Sequence, residues 1–328
     1  GDVTRIVPSR HLVDNNHIYR FNRFCGAFLH AGVRMLGVGQ RVSHNVIHDS
    51  PLLGISCDGK DHIVEFNDIH DVVHEGRELG AFRMSNQSRP RFLMLRGTIL
   101  RNNFFHHLTT DSSPNRSHEM VVLHLDGVGT DYVMDRNVFY RFLIGIADSY
   151  PGNRITNNLF IDARISDIRI ADRTLLFYND RRLNAGVKQY IVEGMGQEAK
   201  RLRIKQPPWN YRFPSLARIM KEEPKDWSFL HRTFIERNFH VGPQHFISQN
   251  SAFTLTLLRR GADAIHDERI QERHNNEGRI LPTFYDSANM DFRLRPGAPA
   301  YGLIGFEPVR FDEIGVRNDA LRASWPIN

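Results

Sequence analysis

Lysine is nearly missing from this chain of 328 residues. It stands at six positions (60, 188, 200, 205, 221 and 225), while arginine supplies 37 of the 43 basic residues. Against 37 acidic residues the formal charge is +6. Positive charge carried almost wholly by guanidinium suits planar, forked hydrogen bonds to carboxylate, sulfate or phosphate. An acidic polysaccharide or oligosaccharide is therefore a fitting partner. Nucleic acid is the competing polyanion, but no Lys/Arg run interleaved with aromatics and no nucleic-acid module is present. Apolar runs of about eighteen residues are also absent, which excludes a membrane-spanning helix. Cysteine is confined to Cys25 and Cys57. These could pair if their segments stack, or serve as buried free thiols. No zinc-type ligand spacing and no calcium loop appears, so no metal site and no resident cofactor is expected.

Helical periodicity over about ten residues, the length a crossover helix needs, is missing as well. What is present is a short phrase that keeps returning: Asn, any residue, Ile or Phe, then an aromatic or His. It reads Asn16-His17-Ile18-Tyr19, Asn45-Val46-Ile47-His48, Asn67-Asp68-Ile69-His70, Asn103-Phe104-Phe105-His106, Asn137-Val138-Phe139-Tyr140 and Asn158-Leu159-Phe160. The intervals between these Asn residues are 29, 22, 36, 34 and 21 residues, a unit with insertions. Each Asn follows a short apolar or β-branched stretch, such as Ile63-Val64-Glu65-Phe66, and precedes another. Short strands broken by polar corners, each unit laid on the last, predict an all-β parallel β-helix, a solenoid. Asn suits the corner because it tolerates a left-handed backbone and its amide can bond to the Asn one rung above.

One domain, residues 1–328, is expected. Rungs run over 10–165 and about 235–300, and an irregular excursion covers 171–234 with a short helix from Ser215, capped by its hydroxyl. Arg237-Asn238-Phe239-His240 restores the repeat, and an extended C-terminal tail over 301–328 packs back along the stack. Insertions at 84–97 and 109–119 should emerge near each other, where a rigid stack presents binding loops. The first residues show no basic start followed by an apolar stretch. A processed or trimmed product, secreted to the periplasm or cell exterior, is the expectation.

The chain resembles right-handed parallel β-helix proteins of the pectate-lyase-like superfamily, and among them carbohydrate-active members that include glycoside hydrolases. The phrases that carry the resemblance are Gly37-Val38-Gly39-Gln40-Arg41-Val42, Lys60-Asp61-His62-Ile63-Val64-Glu65-Phe66-Asn67, Pro207-Pro208-Trp209, Asp291-Phe292-Arg293-Leu294, Ile304-Gly305-Phe306-Glu307-Pro308 and Arg322-Ala323-Ser324-Trp325-Pro326. They span almost the whole chain and are mostly scaffold. The resemblance implies an acidic residue where this chain has Leu79 before Gly80-Ala81, and a second Asp where Asp126 is followed by Gly127. A glycine-rich Arg-Asp turn is replaced by Asp148-Ser149-Tyr150-Pro151-Gly152-Asn153. A divergent or silent member is thereby implied.

Counting back from the Asn corners aligns Asp58, Asp126 and Asp148 near the end of one strand column. Adjacent rungs lie about 4.8 Å apart. Asp126 and Asp148 would then match the roughly 5–5.5 Å carboxyl separation of a retaining glycosidase. In that reading Asp126 is nucleophile or base, Asp148 its partner and His124 an orienting group or proton shuttle, with Glu75 and Glu78 in reserve. Asp58, His74, Glu75, Arg83, Arg89, Arg96, Tyr150 and Trp209 are candidate substrate contacts. A polysaccharide lyase is the alternative, with Arg83, Arg89 or Arg96 neutralising a uronate and Ca²⁺ held by the Asp column. A catalytically inactive glycan-binding protein is the other. His70, His74, His106 and His107 read as repeat positions rather than metal ligands.

Overall fold

A computed structural model describes residues 1–24, 30–75, 79–85, 95–108, 120–126, 130–148, 152–170, 196–219, 221, 233–249, 270–273, 275–277 and 282–320. The protein is mostly β, built of parallel sheets, and consistent with a parallel β-solenoid. The chain advances three short strands at a time, and each strand pairs with its counterpart in the next coil. A first face stacks Leu12–Asp14, Arg41–Ser43, Ile63–Glu65, Ile99–Arg101, Val133–Asp135, Arg154–Thr156, Thr233–Glu236 and Ile270–Arg273. A second face begins with His17–Tyr19, Val46–Ser50, Asp68–Val72 and Phe104–Leu108. A third begins with Ala31–Val38, Leu53–Lys60, Phe82–Ser85 and Val121–Asp126. The longer strands Val138–Asp148 and Leu159–Ile170 run on from the second face into the third.

Inward positions repeat coil by coil because residues in register share a face. On the first face the inward column is Val42, Val64, Leu100, Met134, Ile155 and Ile235, each buried. On the second, Phe105, Phe139 and Phe160 stack with ring centroids 5.4 and 4.7 Å apart. The third contributes Ile55, Phe82, Leu123, Ile146 and Ile168. All belong to one continuous hydrophobic core.

The corner ahead of the second face carries a ladder of asparagines. From Asn16 through Asn45, Asn67, Asn103, Asn137, Asn158 and Asn238 to Asn275, each amide donates Nδ2–H to the Oδ1 of the next, at 2.9–3.1 Å. Each backbone N–H of the donor residue joins the same Oδ1. Asn275 is a rung that the sequence pattern did not reveal. The left-handed backbone falls one residue earlier than expected, on Asn15, His44, Phe66, Asn102, Arg136, Asn157 and Arg237, with φ between 51° and 59°. The ladder Asn is thus chosen for its amide, and the strained position tolerates Phe and Arg.

The excursion ends sooner than expected, since Thr233 already opens a first-face strand. Within it, Trp209–Arg212 and Pro214–Ile219 are helical. The second helix starts at Pro214, and the Ser215 hydroxyl bonds to Asp131 rather than serving as the expected cap. Near the C-terminus, Phe284–Asp286 and Asp291–Leu294 form an antiparallel hairpin in place of a closing parallel coil. Phe292, Leu294, Ala300 and Phe306 then cover Phe104, Val138, Leu159 and Phe239 on the outside of the second face. Beyond them the chain crosses the coils as a strap. The Glu307 N–H bonds to Asn157 Oδ1, that of Arg310 to Asn102 Oδ1, and the Glu313 carbonyl to His44 Nδ1. Arg317 closes on Asn15 and on Asp14 of the first coil.

Candidate functional site

Residues on the third face that alternate with its core positions form an outward column. The register runs Arg34, Ser56, Arg83, His124, Ala147, Arg169 and Ser248. Three guanidinium side chains and an imidazole therefore lie along one line of the coil stack. Arg83 and His124 are adjacent in it, and both are shielded from solvent, at 3% and 5% exposure. Both make further contacts with neighbouring groups, as does Asp58.

The acidic residues fall into register differently from the count. Asp126 pairs with Ser85. Asp58 lies one residue beyond the Cys57–Met84 pair, so it is level with Ser85 and hence with Asp126, two coils away. Asp148 is out of step. Ala147 pairs with His124, so Asp148 follows level with Leu125, and it pairs on its other side with Ile170. The expected stacking of Asp148 on Asp126 is replaced by a two-coil relation between Asp58 and Asp126.

His74 and Glu75 stand elsewhere, at the corner where the second face turns into the third. With Arg23, Phe24, Asp49, Ser50 and Pro51 they line a groove of about 510 Å³. Sequence reading missed Arg23, Phe24 and Asp49. No sequence signal marked them; Phe24, a large aromatic left fully exposed, stands out only in the structure.

Searches against known proteins return nothing: no family model, no curated protein and no solved structure matches the chain. What its residues do must be argued from their placement.

Burial takes Arg96 and Trp209 out of the set open to a glycan. Arg96 is 1% exposed and its Nη1 donates to Asp131 Oδ2 at 2.7 Å. Trp209 lies beneath the first residues, its Nε1 donating to the Thr4 carbonyl at 2.7 Å, with Lys60 Nζ 3.7 Å from its ring centroid. Both hold the third corner together. Cys57 is a free thiol, its pKa pushed up to about 12 by burial. Glu78, Arg89, Tyr150 and Cys25 lie outside the described residues, as do the insertion 109–119 and residues 86–94 of the insertion expected at 84–97.

Lys60 has a measurable consequence. Burial, reinforced by the Arg96 guanidinium, lowers its pKa from 10.5 to about 7. Between those values the unfolded chain holds a proton that the folded chain lacks, so this residue makes stability rise with pH. The slope is at most about 1.4 kcal/mol per pH unit. Urea denaturation near pH 7 and again near pH 9.5 should show that rise in the wild type, and Lys60→Met should lose it. An unchanged slope in the variant would show that another group is responsible.

Proposed function

We propose that this protein is a secreted right-handed parallel β-helix of the pectate-lyase-like kind that binds an acidic polysaccharide across its third face and hydrolyses it. The observation that carries the reading is the outward column Arg34–Arg83–His124–Arg169 with Asp58 and Asp126 two residues further along their strands, and so on the same face. Guanidinium groups repeated along a rigid stack suit carboxylates repeated along a glycan. Two coil spacings of about 4.8 Å put the Asp58 and Asp126 backbones about 9–10 Å apart. This is close to the roughly 6.5–9.5 Å carboxyl separation of inverting glycosidases, where a water fits between base and sugar. In this reading Asp126 activates the water, Asp58 protonates the leaving oxygen, and Arg34 and Arg169, the open guanidinium groups of the column, hold the sugar carboxylates. His74, Glu75 and Arg23 extend the binding surface at the neighbouring corner.

The Arg83–His124 pairing also supports elimination as a second reading, one that requires the sugar to reach these two shielded side chains. A guanidinium neutralising a uronate carboxylate acidifies the adjacent C–H, and an imidazole beside it can take that proton. Ca²⁺ would assist there only as a second neutralising charge.

The test is digestion of a panel of acidic and neutral polysaccharides, with products weighed by mass spectrometry and their anomers followed by proton NMR. Hydrolysis with inversion at an acidic glycan is expected. Products lighter by one water, with an unsaturated end, would establish the lyase. Retention on acidic glycans without turnover would mark a binding protein, and failure to bind any acidic glycan would overturn the proposal.

A further inference from the structure

The second face carries a histidine column unrelated to the glycan surface. Residues in register there are Tyr19, His48, His70, His106 and Tyr140. The three imidazoles stack, with ring centroids 4.7 Å apart for His48–His70 and 4.5 Å for His70–His106. Asp68, two residues before His70, faces the same cluster. Its Oδ1 lies 2.9 Å from His106 Nε2, and ligand atoms of Asp68, His70 and His106 all lie within 4.8 Å of one another.

Two further observations separate this cluster from an ordinary stack of repeat positions. The first is the column in which Asp68 sits. Its partners in register are Val46 below and Phe104 above, followed by Val138, Leu159 and Phe239. A carboxylate thus stands inside a run of apolar residues, in a column whose ends are His17 and Asn276 and whose later members pack against the C-terminal segment. Packing gives no reason for an acid at that place. The second is the support behind the imidazoles. Asp71 Oδ2 bonds His70 Nδ1 at 2.8 Å, and His107 Nδ1 bonds His106 Nδ1 at 2.6 Å. His106, held through Nδ1, turns its Nε2 to Asp68, and His70, also held through Nδ1, has its Nε2 left to ligate. A carboxylate behind a histidine, fixing its tautomer, is the usual outer support of a metal ligand.

We infer that Asp68, His70 and His106 form a binding site for a divalent first-row metal ion such as Zn²⁺, Co²⁺ or Ni²⁺. Two imidazole nitrogens and one carboxylate oxygen suit these ions and leave a coordination position for water. Ligand bonds of about 2.0–2.2 Å require the three atoms to draw together to roughly 3.5 Å. Small rotations of surface-facing side chains achieve this, since Asp68 and His70 are both partly exposed. Asp71 and His107 are positioning residues.

The experiment uses the untagged 328-residue chain stripped with chelator, titrated with Zn²⁺ by calorimetry and with Co²⁺ by visible absorption. One equivalent per chain is expected, with the intense visible bands of low-coordinate Co²⁺. Asp68→Asn and His106→Gln should each weaken binding by about 100-fold or more. Asp71→Asn, at a half-exposed position, should weaken it by about 10–100-fold while leaving the circular dichroism unchanged. His245→Gln, exposed on the third face, should leave it as it was. No stoichiometric uptake, or uptake equal in wild type, Asp68→Asn and His106→Gln, would overturn the inference. Should His106→Gln fail to fold, Asp71→Asn decides: unchanged affinity in that variant also overturns it.

Discussion

Asn103→Leu is expected to remove about 3–6 kcal/mol of stability, enough to unfold much of the protein under ordinary conditions. Asn103 sits fully buried in the middle of the ladder. Its Nδ2 donates to the carbonyls of Val64 and Arg101 and to Asn137 Oδ1, at 2.9–3.1 Å. Its Oδ1 accepts both the backbone N–H and the side-chain amide of Asn67. Leucine matches the volume but leaves several buried polar groups without partners, at about 1–3 kcal/mol each. Asn16→Leu, at the exposed first rung, should cost only about 1 kcal/mol, because water replaces what is lost there. Thermal and urea midpoints of the two variants measure the contrast. Equal, small effects would show that the ladder ornaments the corner rather than holding it.

Asp126→Asn is expected to lower polysaccharide turnover by about 10²–10⁴-fold with the fold intact, the usual loss when a general base is removed. Asp58→Asn should fall in the same range. Asp148→Asn should change turnover by less than about tenfold, because the register sets it one position out of step with Asp126. Reducing-sugar release on the substrate found by the panel gives all three numbers. If Asp148→Asn proves as damaging as Asp126→Asn, the two-coil pairing is wrong and the neighbouring-coil pairing returns. This prediction stands on the hydrolase reading, whereas the asparagine prediction does not.

The difference between those two residues shows what the sequence could tell. The asparagine corner was legible because one buried amide must recur wherever one coil lies on the next, and apolar residues must follow at fixed spacing. The third corner imposes no such rule. From Asp58 the next first-face strand begins at Ile63, from Asp126 at Val133 and from Asp148 at Arg154. Counting back from the ladder across a corner of changing length therefore misplaced Asp148. Arg96 and Trp209 were misread for another reason. Their burial depends on contacts remote in sequence: Trp209 reaches Thr4, 205 residues away, and the Arg96 guanidinium lies over the ring of Phe213 from the helical segment. The metal cluster was hidden because its histidines occupy a position where the repeat accepts any aromatic. Only the three-dimensional neighbourhood of Asp68 distinguishes it.

The strap changes how such a molecule is made. In a stack of coils each unit can settle on the one before it as the chain leaves the ribosome, from the N-terminus onward. Here the first coil has partners 302 and 303 residues away, Arg317 on Asn15 and Asp14. Those bonds cannot form until residue 317 has been synthesised. The coil of Asp14 and Asn15 must therefore wait for the strap to arrive. Pairings this distant slow folding, and the same pairings then turn a string of neighbour contacts into a structure in which two remote segments secure each other.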